Sequence, residues 1–172
     1  MAIKPILTPK GESRYLENSA ELVYKYTAGN PFFLQIVCSR IVDIMNNLKI
    51  SSVSTNEIQM VVKNLVSGET KMPLSQFDAL KSPGKYHGQD SYTANLWRYL
   101  ESENNTLIVL SAIAQYSRET GWCGESELDA IPHASEIVAA LVELKTLEEN
   151  SHKQIRIRVE LFAEWLRANI RR

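Results

Sequence analysis

ASEIVAALVELKTLEENSHKQIRIRV, residues 134–159, decides the architecture because its hydrophobic period changes midway. As far as Leu147 the apolar residues Ile137, Val138, Leu141, Val142 and Leu144 return at steps of three and four, the repeat of one helical face. From Gln154 to Val159 polar and apolar residues alternate, which is the two-residue repeat of a half-buried strand. Glu149-Asn150-Ser151-His152 lies between the two patterns and predicts a hairpin turn, with Leu147-Glu148 as the returning strand.

Working outward, the spacing predicts a short polar helix over Gly124–Ile131 that contains Leu128. Before it comes an apolar helix over Leu107–Tyr116. Three helices followed by a two-stranded hairpin make the element order of a winged helix-turn-helix. Leu161 to Ile170, with Phe162, Trp165 and Leu166, closes the domain as a last helix. A further helix carrying Leu96, Trp97 and Leu100 is predicted from Ser91, interrupted by Glu103-Asn104-Asn105.

The N-terminal half keeps the helical period throughout. Tyr15, Leu16, Ala20, Leu22, Val23 and Tyr26 predict a helix from Glu12 to Tyr26, stopped at Thr27-Ala28-Gly29-Asn30. Gly29 suits a left-handed C-terminal position and Pro31 suits the first turn of the next helix. That second helix, Pro31 to about Asn47, is apolar on most sides and is expected to be buried at the centre of a bundle. Ser54-Thr55-Asn56-Glu57 reads as a capping box opening a third helix that runs through Ile58, Val61, Val62 and Leu65 to Gly68. Between Glu69 and Asp90 the period lapses around Pro73, Pro83, Gly84 and Gly88, and only Leu74–Leu80 could hold a short helix. The expected organisation is a mainly α chain: a helical bundle over residues 1–68, a linker over 69–90 and a winged-helix domain over 91–172.

Composition bounds the function. The 172 residues are 44% hydrophobic and 23% charged, with a formal net charge of -1, so a core can form but no general attraction to nucleic acid or anionic lipid follows. The longest apolar stretch, Phe32–Val37, is far too short to cross a bilayer, and a cytoplasmic location with no membrane partner is expected. Cys38 and Cys123 have no Cys-x-x-Cys spacing and no neighbouring histidine, so neither a disulfide nor a metal site is expected. His87, His133 and His152 share no motif and read as surface or cap residues rather than general bases.

At Tyr26-Thr27-Ala28-Gly29-Asn30-Pro31-Phe32-Phe33-Leu34-Gln35 the sequence resembles the helical lid of STAND-type signalling ATPases and their archaeal, AAA+-related ATPase relatives. The resemblance extends through Ile50–Leu65 and the strand-into-tryptophan ending from Ile157 to Leu166. It implies an order of P-loop domain, lid and winged helix. It also implies that Gly29, Asn30 and Pro31 pack against the base or ribose of ATP or ADP in the intact parent. Related lids place an arginine just after such a glycine to sense the γ-phosphate. Here Phe32 and Phe33 stand there, and Arg40 reads as a solvated helix residue. A Gly-Asn-Pro corner also suffices as a plain helix connection.

No Gly-x-x-x-x-Gly-Lys-Ser/Thr loop occurs in the chain, and that cradle is what grips the β- and γ-phosphates. No apolar strand ending in paired acids is present to hold Mg²⁺. The expectation is therefore a piece of a larger protein, itself without catalytic residues or cofactor. The upstream P-loop domain would be its first partner, and ATP or ADP with Mg²⁺ would belong to the parent. The winged helix is expected either to dock a protein or to bind DNA. Glu136, Glu143 and Lys145 on the reading helix offer little to base edges. Lys153, Arg156 and Arg158 on the wing, with Arg167, Arg171 and Arg172 behind, could line a phosphate backbone. Trp122, in a glycine-bounded turn, is expected to pack between the first two helices of the winged domain, and full exposure would mark a partner-binding patch.

Overall fold

The computed structural model describes Gly11, residues 13–81 and residues 103–170. Those residues are mainly helical, with seven α-helices and one two-stranded antiparallel sheet among them. They gather into two compact units. The first ends at Lys71 and also takes in Val159–Leu161; the second runs from Met72 to Arg158 and from Phe162 onward.

In the first unit, α1 (Ser19–Thr27), α2 (Pro31–Leu48) and α3 (Thr55–Ser67) pack together. Phe33, Val37, Ile41 and Met45 recur every four residues on α2 and are buried, as are Val23 of α1 and Ile58, Val61 and Leu65 of α3. α2 is the centre of the bundle as expected, packing on both α1 and α3, but not all of its apolar residues are buried. Phe32, Val42 and Leu48 are exposed, because two neighbouring helices cover one stripe of a third and leave its far side to water. The helix expected from Glu12 begins only at Ser19. Ahead of it the chain is extended: Tyr15 bridges Val53 in parallel, Leu16 N donates to Val53 O at 2.9 Å and Val53 N to Arg14 O at 2.8 Å. Those backbone groups find partners across the unit that a first helical turn would have left unsatisfied.

The predicted capping box is present. Asn56 N donates to Ser54 Oγ at 3.2 Å, and Ser54 N donates to Glu57 Oε2 at 2.7 Å. The Ser54 hydroxyl and then its backbone N–H hold the Glu57 carboxyl below the usual carboxylate range.

The second unit starts inside the stretch whose period lapses. Met72, Phe77 and Leu80 are buried, in a 3-10 turn (Leu74–Phe77) that leads into α4 (Asp78–Lys81). The Phe77 ring stacks on Phe162 at 4.7 Å between centroids, and Trp165 Nε1 donates to Met72 O at 2.8 Å. Met72, Phe77 and Leu80 thus contribute to the core of the second unit. They escape the periodicity test because one 3-10 turn and one α turn are too short to display either repeat. The helix expected from Ser91 lies outside the described residues.

α5 (Glu103–Thr120) takes in Glu103-Asn104-Asn105 and so extends beyond the expected Leu107–Tyr116 at both ends. Cys123 then pairs with Ile155 as an isolated antiparallel bridge, and a 3-10 turn (Glu125–Leu128) leads to α6 (Ala134–Glu143). The hairpin of β1 (Leu147–Glu149) and β2 (Ile155–Ile157) follows, with Leu147 opposite Ile157, and α7 (Glu160–Asn169) ends the unit. This is the predicted order of helices and hairpin. α6 stops at Glu143 instead of reaching Leu147, because Lys145 turns left-handed at φ 62° and Thr146 Oγ1 donates to Leu80 O at 2.7 Å. Leu147 is thereby released from the helix to pair, buried, with Ile157.

Candidate functional site

The helix corner of the first unit is built by consecutive local contacts. Ala28, not Gly29 alone, takes the left-handed C-terminal position of α1, at φ 49°, and its N–H donates to Tyr24 O. Gly29 follows at φ 70°. Asn30 then caps α2, its Oδ1 accepting from Phe32 N at 3.0 Å and Phe33 N at 3.5 Å, with Pro31 in the first turn. A Cβ on Gly29 would sit 3.0 Å from Cε2 of Tyr24, so the tyrosine ring lies close beside the glycine backbone. Both flanking aromatics face solvent: Tyr24 is 64% exposed and Phe32 48%, the latter edge-on to the buried Phe33. The corner therefore presents a rigid aromatic surface with Gly29 and Pro31 also exposed. Neither Tyr24 nor Phe32 is needed for the core of its own unit.

The wing is organised differently. Arg156 points outward from β2 and stacks its guanidinium over Trp122 at 4.4 Å from the ring centroid, while its Nε pairs with Glu148 across the hairpin. Trp122 is half-buried and carries this contact on one face, so it is not fully exposed. Lys153 Nζ pairs with Glu149 at 2.7 Å. Arg158 is exposed and forms no ion pair among the described residues. Arg167 leaves the predicted stripe altogether. Its side chain is 10% exposed, and its Nε donates to Ala114 O at 2.6 Å at the end of α5. Arg171 and Arg172 lie outside the described residues. Of the predicted cationic row, Lys153, Arg156 and Arg167 are thus matched by carboxylates, and Arg167 is also spent inside the fold.

The outward side of α6 carries Ser135, Ala139 and Glu143, with Glu136 half-buried and Lys145 beyond the helix end. Ser and Ala offer little to a base edge in a groove, and the two carboxylates carry the sign of a phosphate.

His133 stands just before α6 at φ 60°, its Nδ1 3.8 Å from Glu136, and His152 is exposed in the wing turn; His87 lies outside the described residues. Cys123 is fully buried. Cys38 lies 4.0 Å from the Tyr15 hydroxyl, and burial pushes its thiol up and the Tyr15 phenol up to about 12. A thiol shifted in that direction is a poor nucleophile. No group of three or more His, Cys, Asp or Glu side chains arranged to hold a metal occurs among the described residues. No helix there is long and apolar enough to cross a membrane.

The chain matches no family model, no curated protein and no solved structure. Its function is therefore argued from these surfaces. The Trp122–Arg156–Glu148 cluster was hidden in the sequence, although Arg156 and Glu148 could have been paired once the hairpin register was fixed. Trp122 carried no comparable signal.

Proposed function

We propose that this chain is the non-catalytic lid and winged-helix portion of a P-loop signalling ATPase, coupling nucleotide state in an upstream domain to a docking surface on the winged unit. The observation that carries this reading is the corner at Ala28–Phe32. A backbone pinned in two successive left-handed residues and capped by Asn30 holds Gly29 open beside two exposed aromatic rings. A flat purine or ribose packs well on such a surface, since glycine lets the backbone approach and the aromatics supply area without flexibility. The winged unit supports protein docking over DNA binding, because Lys153 and Arg156 already have carboxylate partners and the reading helix is acidic. ATP or ADP with Mg²⁺ would be held chiefly by the upstream domain, with Gly29, Asn30 and Pro31 closing over it.

The test begins with the reading frame around this chain, which should encode a phosphate-binding loop ahead of it. In that longer protein, Phe32→Ala and Gly29→Val should each weaken ATP or ADP binding about tenfold or more, a loss of about 1.4 kcal/mol. Calorimetric titration reads this directly. A frame without such a loop, or unchanged affinity in both variants, defeats the proposal. Phe32 is exposed, so its truncation separates lost binding from lost folding.

A further inference from the structure

We infer that the winged unit carries an acidic, partly apolar groove that seats an aliphatic side chain of a partner protein flanked by lysine or arginine. The groove is a cavity of about 350 Å³ between the 3-10 turn after Cys123 and the first turns of α6. Leu128, Ile131, Pro132 and Val138 are the apolar part of its lining, and Glu125 and Asp129 belong to the polar part. Leu128 and Val138 are themselves packed into the unit, at 2% and 6% exposure, so the floor is fixed by the fold.

The charge around the groove selects the occupant. Glu125 and Asp129 are exposed and make no ion pair among the described residues. Glu136 and Glu143 continue the same sign along α6. The cations nearby are fewer: Lys153, paired with Glu149 at 2.7 Å, also offsets part of the charge of Glu125, and His133 sits beside Glu136. A phosphate backbone would meet like charge here, whereas a cationic segment gains attraction from the carboxylates and burial at the floor. An aliphatic anchor in a preformed pocket, ringed by polar contacts, is the usual build of a protein-docking hot spot.

This inference rests on the docking reading of the winged unit and is independent of nucleotide binding. The test uses the whole chain, ¹⁵N-labelled, titrated at low salt with a short synthetic peptide in which one leucine sits between lysine and arginine. Saturable amide shifts confined to residues 125–138 are expected. They should be lost when the peptide leucine becomes alanine, when its cations become glutamate, or when the protein carries Glu125→Ala with Asp129→Ala. Both carboxylates are exposed, and an otherwise unchanged spectrum verifies that the double variant is folded. Absence of shifts at millimolar peptide, or shifts that persist in the double variant, overturns the groove. Saturable shifts on the wing instead would overturn the groove while sparing the docking reading. Shifts at α6 produced by duplex DNA and not by peptide would overturn both.

Discussion

The helix corner at Ala28–Phe32 and the wing at Leu147–Ile157 are both turns between regular elements, yet they are held by opposite means. The hydrogen bonds that shape the corner among the described residues join residues two to four apart, such as Thr27 Oγ1 to Val23 O and Phe32 N to Asn30 Oδ1. The wing keeps its own turn, in which Asn150 Oδ1 accepts from His152 N and Gln154 N. Its position, though, comes from distant parts of the chain: Cys123 pairs with Ile155, Trp122 lies under Arg156, and Thr146 reaches Leu80. The lesson concerns charge as well as shape. A residue's availability for a partner is settled by its tertiary neighbours, and Lys153, Arg156 and Arg167, first read as part of a phosphate-facing row, are occupied by them.

The contrast can be broken most forcefully at Ile155, which is fully buried and pairs with Cys123. Ile155→Ala should cost about 2–5 kcal/mol by cavity formation and loosen the hairpin, read by denaturant unfolding and by lost hydrogen-exchange protection at Cys123. A loss below about 1 kcal/mol would mean the wing is held locally after all.

A smaller effect is expected at the corner. Gly29→Val places a β-branched residue at φ 70° with its Cβ against the Tyr24 ring, and should cost about 1–3 kcal/mol. Hydrogen exchange should show the loss in α1 and the start of α2. A neutral result would show that the left-handed conformation there is not required.

The smallest effect belongs to Arg156→Ala, which removes a stacked and paired but 45%-exposed side chain. About 0.5–1 kcal/mol is expected from the lost stacking, with little from the exposed ion pair. Trp122 fluorescence should shift toward that of an exposed indole. If Trp122 emission does not move, the guanidinium is not what half-buries the ring.

Much of the fold was legible because its signals are short in range. Pro31, the Ser54–Glu57 box and the alternation of Ile155, Ile157 and Val159 each report on neighbours within about one turn or one strand, and the helices and hairpin appear where those signals put them. Less of the candidate sites was legible. The glycine corner stood out from its residue types, but the groove beside α6 did not, because Leu128 and Val138 face it from different elements.

By itself the sequence determined which segments are helical, where the corner turns and that a hairpin follows α6, since backbone preference and capping act between residues close along the chain. Only the tertiary structure decided that Met72, Phe77 and Leu80 join the core, that Phe32, Val42 and Leu48 of α2 face water and that Lys153 and Arg156 are matched by carboxylates. Those outcomes depend on partners as distant as the 93 residues that separate Trp165 from Met72, and no local pattern encodes which surfaces will meet.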